Sequence, residues 1–223
     1  MDTGNVSAII SALSGLAGVG IGAYLTHLRE QHNAKIKDER DGSYLAILVS
    51  SHLDRFANGC WDCALDDGTE CGQPAGGDGR YQTTVATPQF NPLEIDVEWR
   101  VLPKDLMYDI LQIPDKRERI NNQLASIAEH GDPYDGGEYF WVRRRDYAEL
   151  GLHTSDVAKR LRKHAGLPIE EILPGEWNRD VSLREVIVDI DKRRAAYEKR
   201  LEESNAKNPM VVSLDHVSTP GKS

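Results

Sequence analysis

The amino-acid sequence predicts an all-α protein. One N-terminal transmembrane helix leads into a cytoplasmic antiparallel helical bundle with one long Gly/Pro-rich loop. Three observations carry this expectation. Residues 3–28 contain no Asp, Glu, Lys or Arg. From residue 44 onward, apolar residues recur mainly at steps of three and four, the period of a helix with one buried face. Residues 66–92 break that period with Gly, Asp, Pro and Thr, the composition of turns and loops. The expected organisation is therefore 1–28 as N-terminus and transmembrane helix, 29–204 as helical cytoplasmic domain, and 205–223 as a flexible tail.

Val6–Leu25 holds thirteen apolar residues, four Gly and three Ser. About twenty helical residues span ~30 Å, the hydrocarbon thickness of a bilayer. No residue here leaves a charge in lipid, and Ser hydroxyls can bond back to their own helix. A cleaved signal peptide needs a positive leader, and residues 1–7 have none. On the C-terminal side stand Arg29, Lys35, Lys37 and Arg40, whereas the N-terminal side has Asp2 and no base. The positive-inside bias then places the N-terminus outside and the C-terminal domain in the cytoplasm. Ser14, Gly18 and Gly22 lie four apart, on one helix face, where small residues admit a second backbone closely.

The body follows in order. Residues 26–43 are polar and helix-compatible and extend the span as a stalk. Tyr44, Leu45, Ile47, Leu48, Leu53 and Phe56 give an amphipathic helix that Asn58-Gly59 is expected to close. Within the loop 66–92, a short extended piece is expected at Gln82–Ala86. Leu93, Ile95, Val97 and Trp99 alternate with charged residues. A lone strand has no partner, so an extended loop packed on helices is the better expectation. Pro103 opens the next helix and Pro114 divides it from another, whose stripe is Ile120, Leu124, Ile127 and Ala128. Residues 139–164 read as helical with an interruption at Gly151. Ser182, with Glu185 three residues on, has the spacing of a capping box for the last long helix.

Two groups of residues suggest chemistry. Cys60 and Cys63 form a CxxC pair, Cys71 follows, and His52 precedes, so these four are the candidate ligands for a tetrahedral zinc ion. No cofactor is expected, zinc at these four residues being the one candidate. The competing reading is reduced cysteines packed as small hydrophobes. The second group lies in 146–164, where Gly151 at a turn between two helical stretches would make a helix-turn-helix-like unit. Lys159, Arg160, Arg162 and Lys163 on its second helix would then contact phosphates. Against this, Arg160 stands where such a motif wants an apolar residue, and a solvated basic face explains the same pattern. Asp132, Asp135 and Glu138 offer oxygen ligands but lack the alternation of a calcium loop, so surface acids are the expectation. No phosphate loop, dinucleotide fingerprint, nucleophile elbow or HExxH helix is present.

Composition narrows the function classes. The 223 residues carry a net charge of -9, against the basic surface of a general nucleic-acid binder. A mean hydropathy of -0.51 excludes a multi-pass membrane protein, and 3 Cys are too few for a disulfide-built fold. The stretches FNPLEIDVEWRVLPKDLMYDILQIP (90–114) and AELGLHTSDVAKRLRKHAGLP (148–168) resemble uncharacterised bacterial proteins with one N-terminal transmembrane helix and a helical cytoplasmic body. That resemblance implies a bacterial inner membrane and carries no activity or site. The expected function is non-enzymatic: a single-pass, membrane-anchored helical protein that serves protein interaction or assembly. Its expected partners are the lipid bilayer and either another protein or a second copy of itself, and nucleic acid is not expected. The alternatives are a membrane-tethered DNA-binding regulator using 146–164, and an enzyme without a recognisable motif.

Overall fold

The computed structural model describes residues 3–130, 137–169, 173 and 175–207, with side chains at Gly22 and from Tyr24 onward except 205 and 207. Five α-helices dominate: α1 (Thr3–Leu65), α2 (Lys104–Leu111), α3 (Ile113–His130), α4 (Gly137–His164) and α5 (Arg179–Lys207). The all-α expectation holds. Among the described residues no helix is long and apolar enough to cross a membrane. The expected span Val6–Leu25 belongs to α1, but nearly all its side chains lie outside the described residues.

α4 is the hub. It carries the longest run of buried residues, including Tyr147, Leu150, Val157 and Leu161, and packs against α1, α2, α3 and α5. Its partners fix its direction. Arg162 near its C-terminus pairs with Asp54 of α1, while Arg144 near its N-terminus bonds the carbonyl of Ala64. α4 therefore runs antiparallel to α1. On the α5 side, Lys159 meets Asp180 and Arg145 meets Asp191, again antiparallel. Arg160–Asp109 and Tyr147–Asn121 tie α4 to α2 and α3.

Several boundaries differ from expectation, each for a packing reason. α1 does not end at Asn58-Gly59 but continues to Leu65. A Cβ on Gly59 would sit 2.7 Å from Pro88 Cβ, so this glycine admits the returning loop rather than stopping the helix. α4 runs through Gly151 without a turn. A Cβ there would lie 3.0 Å from Leu183 Cδ1 and 3.1 Å from Cys60 Cβ, so the glycine lets three helices close on one another. The helix-turn-helix-like unit of the alternative reading is accordingly not formed, and 146–164 lies within one continuous helix. The cap of α5 is Asn178, four residues before Ser182: its Oδ1 accepts from the amides of Asp180 and Val181. Ser182 Oγ instead accepts from Trp61 Nε1 at 3.0 Å. α5 also extends past residue 204 to Lys207.

Residues 66–103 return along α1 as a long strap. It begins with a hairpin, β1 (Thr69–Glu70) and β2 (Gln73–Pro74), paired antiparallel with Thr69 opposite Pro74. Cys71 and Gly72 turn it with φ of 52° and 77°, the left-handed geometry that a two-residue hairpin turn demands. Gln82–Ala86 is irregular, not a strand. Phe90 packs on Phe56 with ring centroids 5.9 Å apart, and Ile95, Val97 and Trp99 lie half-buried against the core. Two 3-10 turns, Pro92–Glu94 and Trp99–Val101, complete the passage. This is the extended loop packed on helices that the alternation at 93–99 implied.

Candidate functional site

Two polar assemblies inside the bundle stand out. The first latches the strap. Arg143 lies on α4 three residues after Phe140 and four before Tyr147, which places a guanidinium on the buried stripe. Its side chain is 1% exposed and that of Asp66 is 0% exposed. Arg143 Nη1 donates to Asp66 Oδ2 at 2.7 Å, and Nη2 donates to the Val85 carbonyl at 2.7 Å. Asp66 also accepts from the amides of Gly68, Thr84 and Val85 and from the Thr84 hydroxyl, all within 3.1 Å. Burial raises the pKa of this carboxyl, but those hydrogen bonds and the Arg143 charge outweigh it and hold it below the usual range. Gly68 closes the assembly with φ of 76°, and the Phe140 ring lies against its Cα, where a Cβ would come within 2.3 Å.

The second assembly lines a cleft of about 620 Å³ among α1, α4 and the start of α5. Arg179 is its centre. Nη1 donates to the Asp54 carbonyl at 3.1 Å and to Asn58 Oδ1 at 2.6 Å, and Nη2 donates to Ser155 Oγ at 2.6 Å. The Ser155 hydroxyl in turn donates to Asp180 Oδ1 at 2.7 Å, and Lys159 Nζ lies 2.5 Å from Asp180 Oδ2. Burial raises the Asp180 carboxyl pKa, but the Lys159 and Ser155 hydrogen bonds more than offset it, so it lies below the ordinary value. Arg162 binds Asp54. The cations are matched by carboxylates, and the Ser155 proton is committed to Asp180. These bonds tie the three helices together at the cleft. Trp177 at its rim packs edge-on against Trp61 at 5.2 Å and is otherwise exposed.

The candidate zinc ligands are not brought together. Cys60 and Cys63 are buried, Cys71 sits in the exposed hairpin turn, and His52 faces solvent. Among the described residues no group of three or more His, Cys, Asp or Glu is placed to hold a metal. Helical spacing carries Cys60 and Cys63 inward, and the positive-φ turn carries Cys71 outward. Burial raises the Cys60 thiol well above its usual pKa and pushes Cys63 up to about 11, so both stay protonated. Cys63 Sγ lies 3.6 Å from the Ala86 carbonyl, another strap contact.

Of the candidate nucleic-acid contacts, Lys159, Arg160 and Arg162 pair with Asp180, Asp109 and Asp54, Lys159 remaining exposed, and Lys163 is exposed as well. Of the small-residue face, Gly22 is exposed with no atom within 4 Å of where its Cβ would be. The side chains of Ser14 and Gly18 lie outside the described residues, as do Asp132 and Asp135.

Arg143, Asp66, Arg179 and Asp180 went unnoticed in the sequence for want of a motif. Only Arg143 leaves a trace there, as a charge on an otherwise apolar helical stripe. No family model, no curated protein and no solved structure matches this chain.

Proposed function

We propose that this chain is a non-enzymatic, single-pass, membrane-anchored protein whose helical body serves protein interaction or assembly. The N-terminus would lie outside and the body in the cytoplasm, at a bacterial inner membrane if the sequence resemblance holds. One observation carries the reading. α1 leaves the body as an unbroken helix whose residues 24–40 are all exposed, and it leads from the charge-free stretch 3–28. A helix apolar on every face does not persist in water without a partner. Eight of its residues, from Val6 to Leu25, are Val, Ile or Leu. At roughly 0.3–0.6 kcal/mol each they favour a bilayer by about 2–5 kcal/mol. Cell fractionation tests the reading. The full chain should sediment with membranes, resist high salt and require detergent for release. Recovery in the soluble fraction without detergent would overturn it.

A further inference from the structure

Two buried thiols lie on α1, and different walls enclose them. Cys60 and Cys63 are both 0% exposed. Cys60 faces α4, where a Cβ on Gly151 would sit 3.1 Å from its own Cβ. Cys63 faces the strap, and its thiol donates to the Ala86 carbonyl at 3.6 Å. Ala86 itself is exposed and Val85 is half-buried. A single layer of chain therefore separates the Cys63 sulfur from water.

That layer is held lightly. Among the described residues, 81–90 make no backbone–backbone hydrogen bond. Side chains fasten them instead. Asp66 accepts from the Thr84 and Val85 amides and the Thr84 hydroxyl, and Arg143 donates to the Val85 carbonyl. Arg117 donates to the Pro88 carbonyl at 3.3 Å farther along. Segments with so few backbone bonds and an exposed surface open locally, without unfolding of the whole. Lifting 84–86 breaks only those side-chain bonds and the Cys63 contact, whereas uncovering Cys60 means parting α1 from α4. Cys63 also has a cation at hand: Arg143 Nη2 lies 3.6 Å from its sulfur. A guanidinium beside an uncovered thiol favours the thiolate, the form that attacks.

We infer that Cys63 is a gated modification site for a small disulfide such as glutathione disulfide, with residues 84–86 as the gate. When the gate lifts, the Cys63 thiolate attacks one sulfur of that disulfide. A new S–S bond forms to Cys63, the old S–S bond breaks, and the departing thiolate takes up the proton that Cys63 released. The products are a mixed disulfide and one free thiol. Cys60 does not resolve the adduct. Side chains three apart on a helix hold their Cβ atoms about 5–6 Å apart, and a disulfide needs about 3.5–4.5 Å. A site that is closed over a bare thiol has no room for a tripeptide, so the adduct holds the strap off α1. The strap is then closed in the thiol form and open in the modified one.

Mass spectrometry of the full chain incubated with glutathione disulfide tests this. A Cys71→Ser background removes the exposed thiol, which would react without any gate. One glutathione per chain should appear on Cys63, about ten-fold or more faster than on Cys60, with the helical circular dichroism intact. Thr84→Ala removes the hydroxyl bond to Asp66 and leaves the ion pair in place. It should raise the rate at Cys63 about three- to ten-fold with little change in Tm. Equal rates at the two cysteines, or modification of Cys63 only as the helical signal is lost, would overturn the inference. So would no adduct at all, an unchanged rate in Thr84→Ala, or a Cys60–Cys63 disulfide as the main product.

Discussion

Replacing Asp66 by Ala should be among the most damaging single changes in the body. The carboxylate accepts from Gly68, Thr84 and Val85 amides, the Thr84 hydroxyl and Arg143 Nη1 at 2.7–3.1 Å. Its removal strands a guanidinium whose side chain is 1% exposed, left with the Val85 carbonyl at 2.7 Å and the weaker contacts to the Cys63 carbonyl at 3.5 Å and the Cys63 thiol at 3.6 Å. Removing one member of a buried pair typically costs 3–5 kcal/mol, because the other charge remains buried. The Thr84 and Val85 amides are only partly buried and regain water, which argues for about 3 kcal/mol rather than 5. At about 2–4 °C per kcal/mol for a body of this size, Tm should fall by roughly 6–12 °C. Urea unfolding followed by circular dichroism measures it, with Asp67→Ala as the control. Asp67 is exposed and bonds only Thr69, so its loss should cost under ~1 kcal/mol. Asp66→Ala with Arg143→Met should cost less than the sum of the singles, since neither charge is left alone. A loss below about 1 kcal/mol in Asp66→Ala would refute the latch.

The same carboxyl sets an acid limit: with its folded pKa below the unfolded ~3.9, its stabilisation is complete above that value and disappears as pH falls through the folded one. Gly151→Val should cost about 1–3 kcal/mol by overpacking against Leu183 and Cys60, readable as a lower urea midpoint; an unchanged midpoint would contradict the three-helix contact. His153 is half-buried with its Nε2 unpartnered, and burial, then the Lys116 and Arg160 charges, lower its pKa against the pull of Asp109 and Asp156. The unfolded chain therefore binds the proton more readily, and stability should fall as pH drops below ~6.5; in His153→Gln that slope between pH 6.5 and 5 should shrink. Asn178→Ala should cost about 1 kcal/mol through the lost cap of α5, whereas Ser182→Ala, the expected cap, should act only through Trp61.

Much of the body was legible because apolar period reports burial directly. Leu45, Leu53 and Phe56 on α1 and Leu124 on α3 are buried as their spacing implied, whereas Tyr44, Ile47 and Ala128 of the same stripes are exposed. The strap was legible as a loop from its Gly and Pro content. Glycine in a helix was misleading, because Gly59 and Gly151 lie where neighbours approach within about one Cβ, and sequence does not distinguish that use from a stop. The cap of α5 was misplaced because Ser182 and Glu185 satisfy a local pattern, while Asn178 wins with two amides in geometry that spacing does not reveal. The polar assemblies were hidden for a different reason. Asp66 and Arg143 are 77 positions apart, and Asp54 and Arg179 are farther still, so only the fold joins them. The cysteines carried a metal-like spacing, yet burial of two and exposure of the third separates them.

The central claim is that the charge-free start of α1 anchors the body. The most direct measurement compares the membrane partition of the full chain with that of a chain beginning at Thr26. Circular dichroism and thermal melting confirm that both bodies are folded. The full chain should be retained by membranes and the shortened chain should be soluble, with Tm within a few degrees because the cut lies in the exposed part of α1, ahead of the buried core that begins at Leu45. Equal partition of the two chains, whether both soluble or both membrane-bound, would contradict it.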